Sequence, residues 1–168
     1  KDRSIDALGS RRWISRKDKA LKQTFDTAAE LLQIQAKRSN KKGFSYEIPI
    51  KDYQLFCSKF PYQETFDQKR TIDEVIVDMQ KPLPMDRLIC GEVGFGKTEV
   101  IMRAAYIAAF NRKQTCVLVP TTLLATQHFS SFLDRFEDTG IEIRVLSRNI
   151  KKKERDDILI ELKQGKVD

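Results

Sequence analysis

The residues Gly91-Glu92-Val93-Gly94-Phe95-Gly96-Lys97-Thr98 satisfy every fixed position of the pattern G-x-x-x-x-G-K-[ST]. The chemistry of that spacing is the holding of a nucleotide's polyphosphate. Glycines let the backbone curl so that successive N–H groups point inward at phosphate oxygens. Lys97 brings a point charge to the β and γ phosphates, and the Thr98 hydroxyl is a ligand for Mg²⁺. Lys97 and Thr98 are therefore the candidate catalytic pair, and residues 91–98 the candidate cradle.

Such a loop works only between a strand and a helix that aim it. Before it, Arg87-Leu88-Ile89-Cys90 is a short apolar run that fits a buried parallel strand. After it, Val100, Ile101, Ala104, Ala105, Ile107 and Ala108 predict a helix that is apolar nearly all round. The positive N-terminal end of that helix would face the same anion.

The rest of the chain divides by charge. Residues 1–59 carry 14 Lys or Arg against 7 Asp or Glu, whereas residues 60–168 carry 17 of each. The whole net charge of +7 thus lies in the first third, which suggests two units: a basic helical linker over 1–59 and a second unit over 60–168. The basic part suits either a nucleic-acid surface or a solvated helix between domains. The 168 residues allow one domain, or one with an appendage. The chain starts on Lys1 rather than Met, with no apolar signal core behind it, and reads as a piece of a longer polypeptide. No apolar run approaches the roughly 20 residues of a membrane span, so no membrane partner is expected.

Cys57, Cys90 and Cys116 form no C-x-x-C pair. Cys90 and Cys116 sit in apolar runs and read as small buried thiols, in keeping with a reducing cytoplasm. His128 is the sole histidine, which argues against a histidine-based metal site, and it reads as a surface or packing residue.

Hydrophobic periodicity predicts a helix over about 15–37, with Leu21, Phe25, Ala28, Leu32 and Gln35 on one stripe that needs a partner to cover it. A shorter helix is expected over 51–58. Thr65-Phe66-Asp67-Gln68 reads as a capping box, opening a helix whose face is Ile72, Val75, Ile76 and Met79 and which ends before Pro82 and Pro84. Residues 115–119 and 141–146 read as two further strands. Between them lies a helix with Ala125, Phe129, Phe132 and Phe136 on one face, and a last helix is expected over 151–163. Alternating strands and helices imply an α/β fold with a parallel sheet flanked by helices.

Three stretches carry a resemblance. Phe60-Pro61-Tyr62-Gln63-Glu64-Thr65-Phe66-Asp67-Gln68, Met85 through Glu99, and Val119-Pro120-Thr121-Thr122-Leu123-Leu124-Ala125-Thr126-Gln127-His128 resemble the bacterial transcription-repair coupling factor family in wording, order and separation. Thr27-Ala28-Ala29-Glu30-Leu31-Leu32 is similar to that family's segment between the polymerase-interacting domain and the motor. The resemblance covers essentially the whole chain, and the phosphate-loop wording is shared with RecG-type branched-DNA helicases.

That resemblance implies a superfamily 2 double-stranded DNA translocase with two P-loop, RecA-like lobes, driven by ATP and Mg²⁺. It implies RNA polymerase and excision-repair proteins as partners of the whole protein. This chain would supply the linker helix and the front of the first lobe, an incomplete sheet. Gln68, with Phe60 and Tyr62, matches the adenine-recognition motif. An amide suits the donor and acceptor on an adenine edge, and this role is compatible with capping. Thr121 and Thr122 match a motif that touches a DNA phosphate, with a plain helix cap as the alternative. Arg148 would extend that DNA track.

Hydrolysis also needs an acidic pair at the end of a strand, to hold Mg²⁺ through water and orient the attacking water. Asp73-Glu74 falls inside a helix and Glu137-Asp138 follows one, so neither qualifies. The isolated chain is therefore expected not to hydrolyse ATP. The readings left open are a coupling-factor segment, a RecG-like helicase segment, and a nucleotide- or partner-binding module without chemistry.

Overall fold

The computed structural model describes residues 9–168. Within them lie six helices: α1 (Arg11–Ser39), α2 (Ile50–Ser58), α3 (Phe66–Met79), α4 (Lys97–Phe110), α5 (Thr122–Arg135) and α6 (Lys152–Lys163). None is long and apolar enough to cross a membrane. The chain forms two compact units, Lys1–Gly43 and Phe44–Asp168. Residues 44–59, which charge alone groups with the basic part, thus belong to the second unit.

In the first unit, α1 starts at Ser10, whose side chain accepts from the Trp13 N–H, and closes with Lys37 and Arg38 in its last turn, favourably placed against the helix dipole. It buries none of its residues. The apolar stripe is real but uncovered, with Phe25 and Leu32 each 71% exposed.

The second unit is built around α4. One side of α4 presents Val100, Ile107 and Ala108 to Ile72, Val75 and Met79 of α3. Another presents Met102 and Ala105 to Phe56 of α2 and to Phe132 and Phe136 of the α5 end. Packing on two sides explains why this helix is apolar nearly all round. The second cluster is aromatic: Phe56 stacks on Tyr106 at 4.3 Å and Phe132 on Phe136 at 5.5 Å between centroids. The capping box of α3 forms as the sequence requires, with Thr65 and Gln68 exchanging backbone and side-chain bonds.

The expected parallel sheet does not form: the described residues contain no β-strand. Residues 87–90, 115–119 and 141–146 sit where the order of elements puts them but carry no ladder. The reason is spacing. A groove of about 740 Å³ separates residues 115–120 from residues 141–148. At its end Asp168 stands between them, donating its N–H to the Glu142 carbonyl (3.0 Å) while its own carbonyl accepts from the Thr115 N–H (3.0 Å). One residue fills the gap, so the two segments lie two strand spacings apart and cannot pair with each other.

The missing ladder also overturns the burial expected of these runs. Leu88 and Leu118 are 88% and 93% exposed. Cys90 and Cys116 are exposed rather than buried, because no neighbouring strand covers them; Cys57 is half-buried.

Candidate nucleotide site

The loop over residues 91–96 is shaped by its glycines. Gly94 and Gly96 have φ of 84° and 70°, left-handed values that side chains with a Cβ adopt at a cost. Gly96 is also the N-cap of α4, so the left-handed turn delivers the chain directly into the helix. A Cβ there would run into Nε2 of Gln68. The left-handed dihedral angle therefore favours glycine here, and a side chain would also push the Gln68 amide aside.

Lys97, at the first position of α4, folds back across the loop. Its Nζ donates to the carbonyls of Gly91 (2.5 Å) and Glu92 (2.6 Å). A Cβ on Gly91 would meet the Lys97 stem at ordinary contact distance, 3.6 Å from Cγ and Cδ. Thr98 follows at the second helical position, half-buried. Val93 and Phe95 are exposed, at 95% and 61%. An ammonium within reach of the loop, left-handed glycines and free N–H groups at a helix head together fit a triphosphate with its Mg²⁺.

The adenine-facing candidates divide into two groups. Gln68 is joined to the phosphate loop: its Nε2 donates to the Phe95 carbonyl (2.9 Å) and its Oε1 accepts from the Thr65 N–H (2.8 Å). Both ends of the amide are in use. The capping role holds, and the same side chain ties α3 to the loop. Phe60 and Tyr62 meet edge to face at 5.6 Å, with Tyr62 74% exposed.

Thr121 caps α5, its Oγ1 accepting from the Leu124 N–H (3.2 Å). Thr121, Thr122, His128 and Arg148 all border the groove between residues 115–120 and 141–148, so the chain brings the candidate DNA residues to one face. His128 is half-buried there, beside Phe129 and Phe132. The two acidic pairs are engaged elsewhere. Glu74 accepts from Arg87 (2.6 Å), and Asp138 pairs with Lys59 at 3.5 Å.

Sequence reasoning passed over the polar interior of the site. Glu99 and Arg103 are buried on α4, 5% and 4% exposed. Glu99 Oε1 accepts from Arg103 Nε (2.8 Å) and from Arg135 Nη2 (2.8 Å), and Oε2 accepts from Arg135 Nε (3.0 Å). Arg103 Nη2 donates to Glu64 Oε1 (2.6 Å). Burial alone would make the Arg103 guanidinium easier to deprotonate; the bonds to Glu99 and Glu64 outweigh it and hold the charge more firmly than usual. The signal was present in the sequence: an acid and a base four residues apart on an otherwise apolar helix must satisfy each other inside.

With this geometry in view, the similarities to known proteins are informative. The family model of DEAD/DEAH box helicases matches residues 65–167, which include the capping box, the phosphate loop and the helix after it. The chain belongs to the DEAD/DEAH box helicases, a family that implies a RecA-like P-loop fold and the use of ATP. Among curated proteins it is 50% identical over 164 residues to the transcription-repair-coupling factors of Haemophilus influenzae and Escherichia coli, and 49% identical over 164 residues to that of Myxococcus xanthus. Each alignment takes in 98% of this chain but 14% of the relative, so the chain spans about one seventh of the length of these proteins.

Proposed function

We propose that this chain is the ATP-binding front of the first motor lobe, with its linker helix, of a double-stranded DNA translocase that couples transcription to repair. The whole protein would move along DNA, displace stalled RNA polymerase in the cytoplasm and recruit excision-repair proteins. The observation that carries the proposal is the loop at the head of α4: left-handed Gly94 and Gly96, with Lys97 folded over the loop. The identity to transcription-repair-coupling factors across nearly the whole chain supports the narrower reading over a RecG-like helicase.

In this reading the N–H groups of the loop and the positive end of α4 hold the phosphates. Lys97, now on the Gly91 and Glu92 carbonyls, would hold the β and γ oxygens, and the Thr98 hydroxyl would hold Mg²⁺, which would supply charge neutralisation. Phe60, Tyr62 and Gln68 face the base. Gln68 spends one N–H on the Phe95 carbonyl and one lone pair on the Thr65 N–H, which leaves its second N–H and second lone pair for the base. Thr121, Thr122 and Arg148 contact the DNA backbone, which is why binding would be independent of sequence. Cutting the phosphoanhydride bond requires an acidic pair and a second lobe that residues 9–168 do not supply, so the chain alone binds nucleotide weakly and does not turn it over.

The test is ATP turnover by this chain and by the intact protein that carries it. The chain alone should be inactive. The intact protein should turn over ATP with DNA stimulation, and Lys97→Ala should abolish that activity. Repeated turnover by the isolated chain that disappears in Lys97→Ala would contradict the proposed division of labour.

A further inference from the structure

Two separate ties fix the distance between the base-facing segment, residues 60–68, and the phosphate loop. The first is Gln68 to the Phe95 carbonyl. The second is buried and runs through charges. Glu99 follows Thr98 in the chain and turns its carboxylate inward, where it accepts from Arg103 at 2.8 Å. The same guanidinium reaches out through Nη2 to Glu64 at 2.6 Å, one residue before the cap of α3. The Phe60 ring centre is 5.8 Å from the guanidinium carbons of both Arg103 and Arg135.

The Arg103 side chain is 5% exposed and that of Glu64 is 29% exposed. A guanidinium is a rigid planar fork, so once Glu99 fixes one edge the direction of the other is set. If Glu64 is removed, Nη2 loses its partner in a dry interior and must turn to find another. The Phe60 ring centre lies 5.8 Å from the same guanidinium, so a turn of Arg103 changes the surface beside that ring.

We infer that Glu64 and Arg103 are positioning residues for base selection, a strut that holds Phe60 and the adenine-facing segment at a set distance from the phosphate loop. The inference rests on the nucleotide reading of the loop. Neither side chain touches the phosphates. Their loss therefore acts on the preference for adenine over guanine and leaves phosphate grip in place. Gln68 alone cannot fix the platform, because it pins α3 at one point, whereas the strut pins the residues ahead of the cap.

The experiment measures kcat and KM for ATP and GTP in the intact protein carrying Glu64→Ala, Glu64→Gln or Arg103→Lys, with inhibition by inorganic tripolyphosphate as the measure of phosphate grip. Glu64→Ala should lower the ATP-to-GTP ratio of kcat/KM by about tenfold, mainly through a raised KM for ATP, as expected when one positioned contact to a base is lost. Tripolyphosphate inhibition should stay unchanged within about twofold, a small fraction of the change in base preference. Glu64→Gln keeps an acceptor for Arg103 and should retain more of the ratio than Glu64→Ala. Arg103→Lys keeps the charge without the fork and should resemble Glu64→Ala. An unchanged ratio in Glu64→Ala overturns the inference, as does an equal loss for ATP, GTP and tripolyphosphate, which marks damage to the loop itself. A wild-type protein with neither nucleotide turnover nor tripolyphosphate binding removes the nucleotide reading, and this inference with it.

Discussion

Lys97 is held by the loop it serves. With Nζ on the Gly91 and Glu92 carbonyls, the ammonium is satisfied without a ligand, and binding exchanges those two bonds for phosphate oxygens. Gly96 has no such freedom. Gly96→Ala meets both a left-handed φ of 70° and the Gln68 amide, so the strain should cost about 1–3 kcal/mol in thermal or denaturant unfolding and weaken nucleotide binding. Gly140→Ala, at φ 72° with open space around it, shares the strain without the clash and should cost less. The thiols give a second residue-level test. Cys90 and Cys116 are exposed, whereas burial raises the Cys57 pKa and disfavours its reactive thiolate. Timed alkylation near pH 8 should label Cys90 and Cys116 first and Cys57 last. The loop and its lysine were legible in the sequence because their spacing is itself the function. The quartet of Glu64, Glu99, Arg103 and Arg135, of which Glu99 and Arg103 are buried, was only half legible. The i, i+4 pair lies within one helix, but the partners from outside α4 are brought in by tertiary packing that no local pattern encodes.

At the scale of elements, helices declared themselves and strands did not. α3 was readable from its cap and its four-residue apolar face, and α5 from Thr121 and its phenylalanines, because a helix satisfies its hydrogen bonds within its own stretch of chain. Residues 115–119 and 141–146 have the composition of strands, but a strand needs a neighbour, and the space between them is one strand wide with Asp168 at its end. The segment leading into the phosphate loop is fixed to α3 instead by charge. Arg87 donates to Asp78 (2.7 Å) and Glu74 (2.6 Å), and Lys81 donates to Asp78 (2.7 Å). Hydrogen bonds from Lys81 and Arg87 hold the Asp78 carboxyl below the usual carboxylate range. A carboxylate depressed in the folded state stabilises the fold above its unfolded pKa of about 4, and that contribution fades as pH falls through the folded value. Asp78→Asn should therefore lower stability at neutral pH and change it little below the folded pKa, which flattens the acid limb of the profile, as read by thermal melts from pH 7 to pH 2. The cap of α3 is a simpler case: Thr65→Ala takes the Oγ1 acceptor from the Gln68 N–H and should destabilise by about 1 kcal/mol, while the backbone Thr65 N–H keeps its bond to Gln68 Oε1.

For the whole molecule, the charge asymmetry was plain in the sequence, but the division of packing was not. Residues 44–59 carry Tyr46, Ile48, Tyr53 and Phe56, all packed into the clusters around α4, so the second unit starts earlier than the change in charge suggests. Local charge counts cannot detect that, since four apolar side chains settle which unit a segment joins. In the proposed function, the net charge of +7, all of it in residues 1–59, would meet phosphates rather than bases. Affinity of the intact protein for double-stranded DNA should be indifferent to sequence and fall with salt, each neutralised phosphate adding about −0.9 to the slope of log affinity against log salt. A preferred base sequence in a footprint would count against that assignment.

The most direct measurement is a structure of the intact protein with Mg²⁺ and a non-hydrolysable ATP analogue. The account predicts the N–H groups of residues 94–98 facing the β and γ phosphates, Lys97 Nζ moved off the Gly91 and Glu92 carbonyls onto phosphate oxygen, and the Thr98 hydroxyl on Mg²⁺. A nucleotide seated elsewhere, with Lys97 still bonded to its own loop, would contradict it.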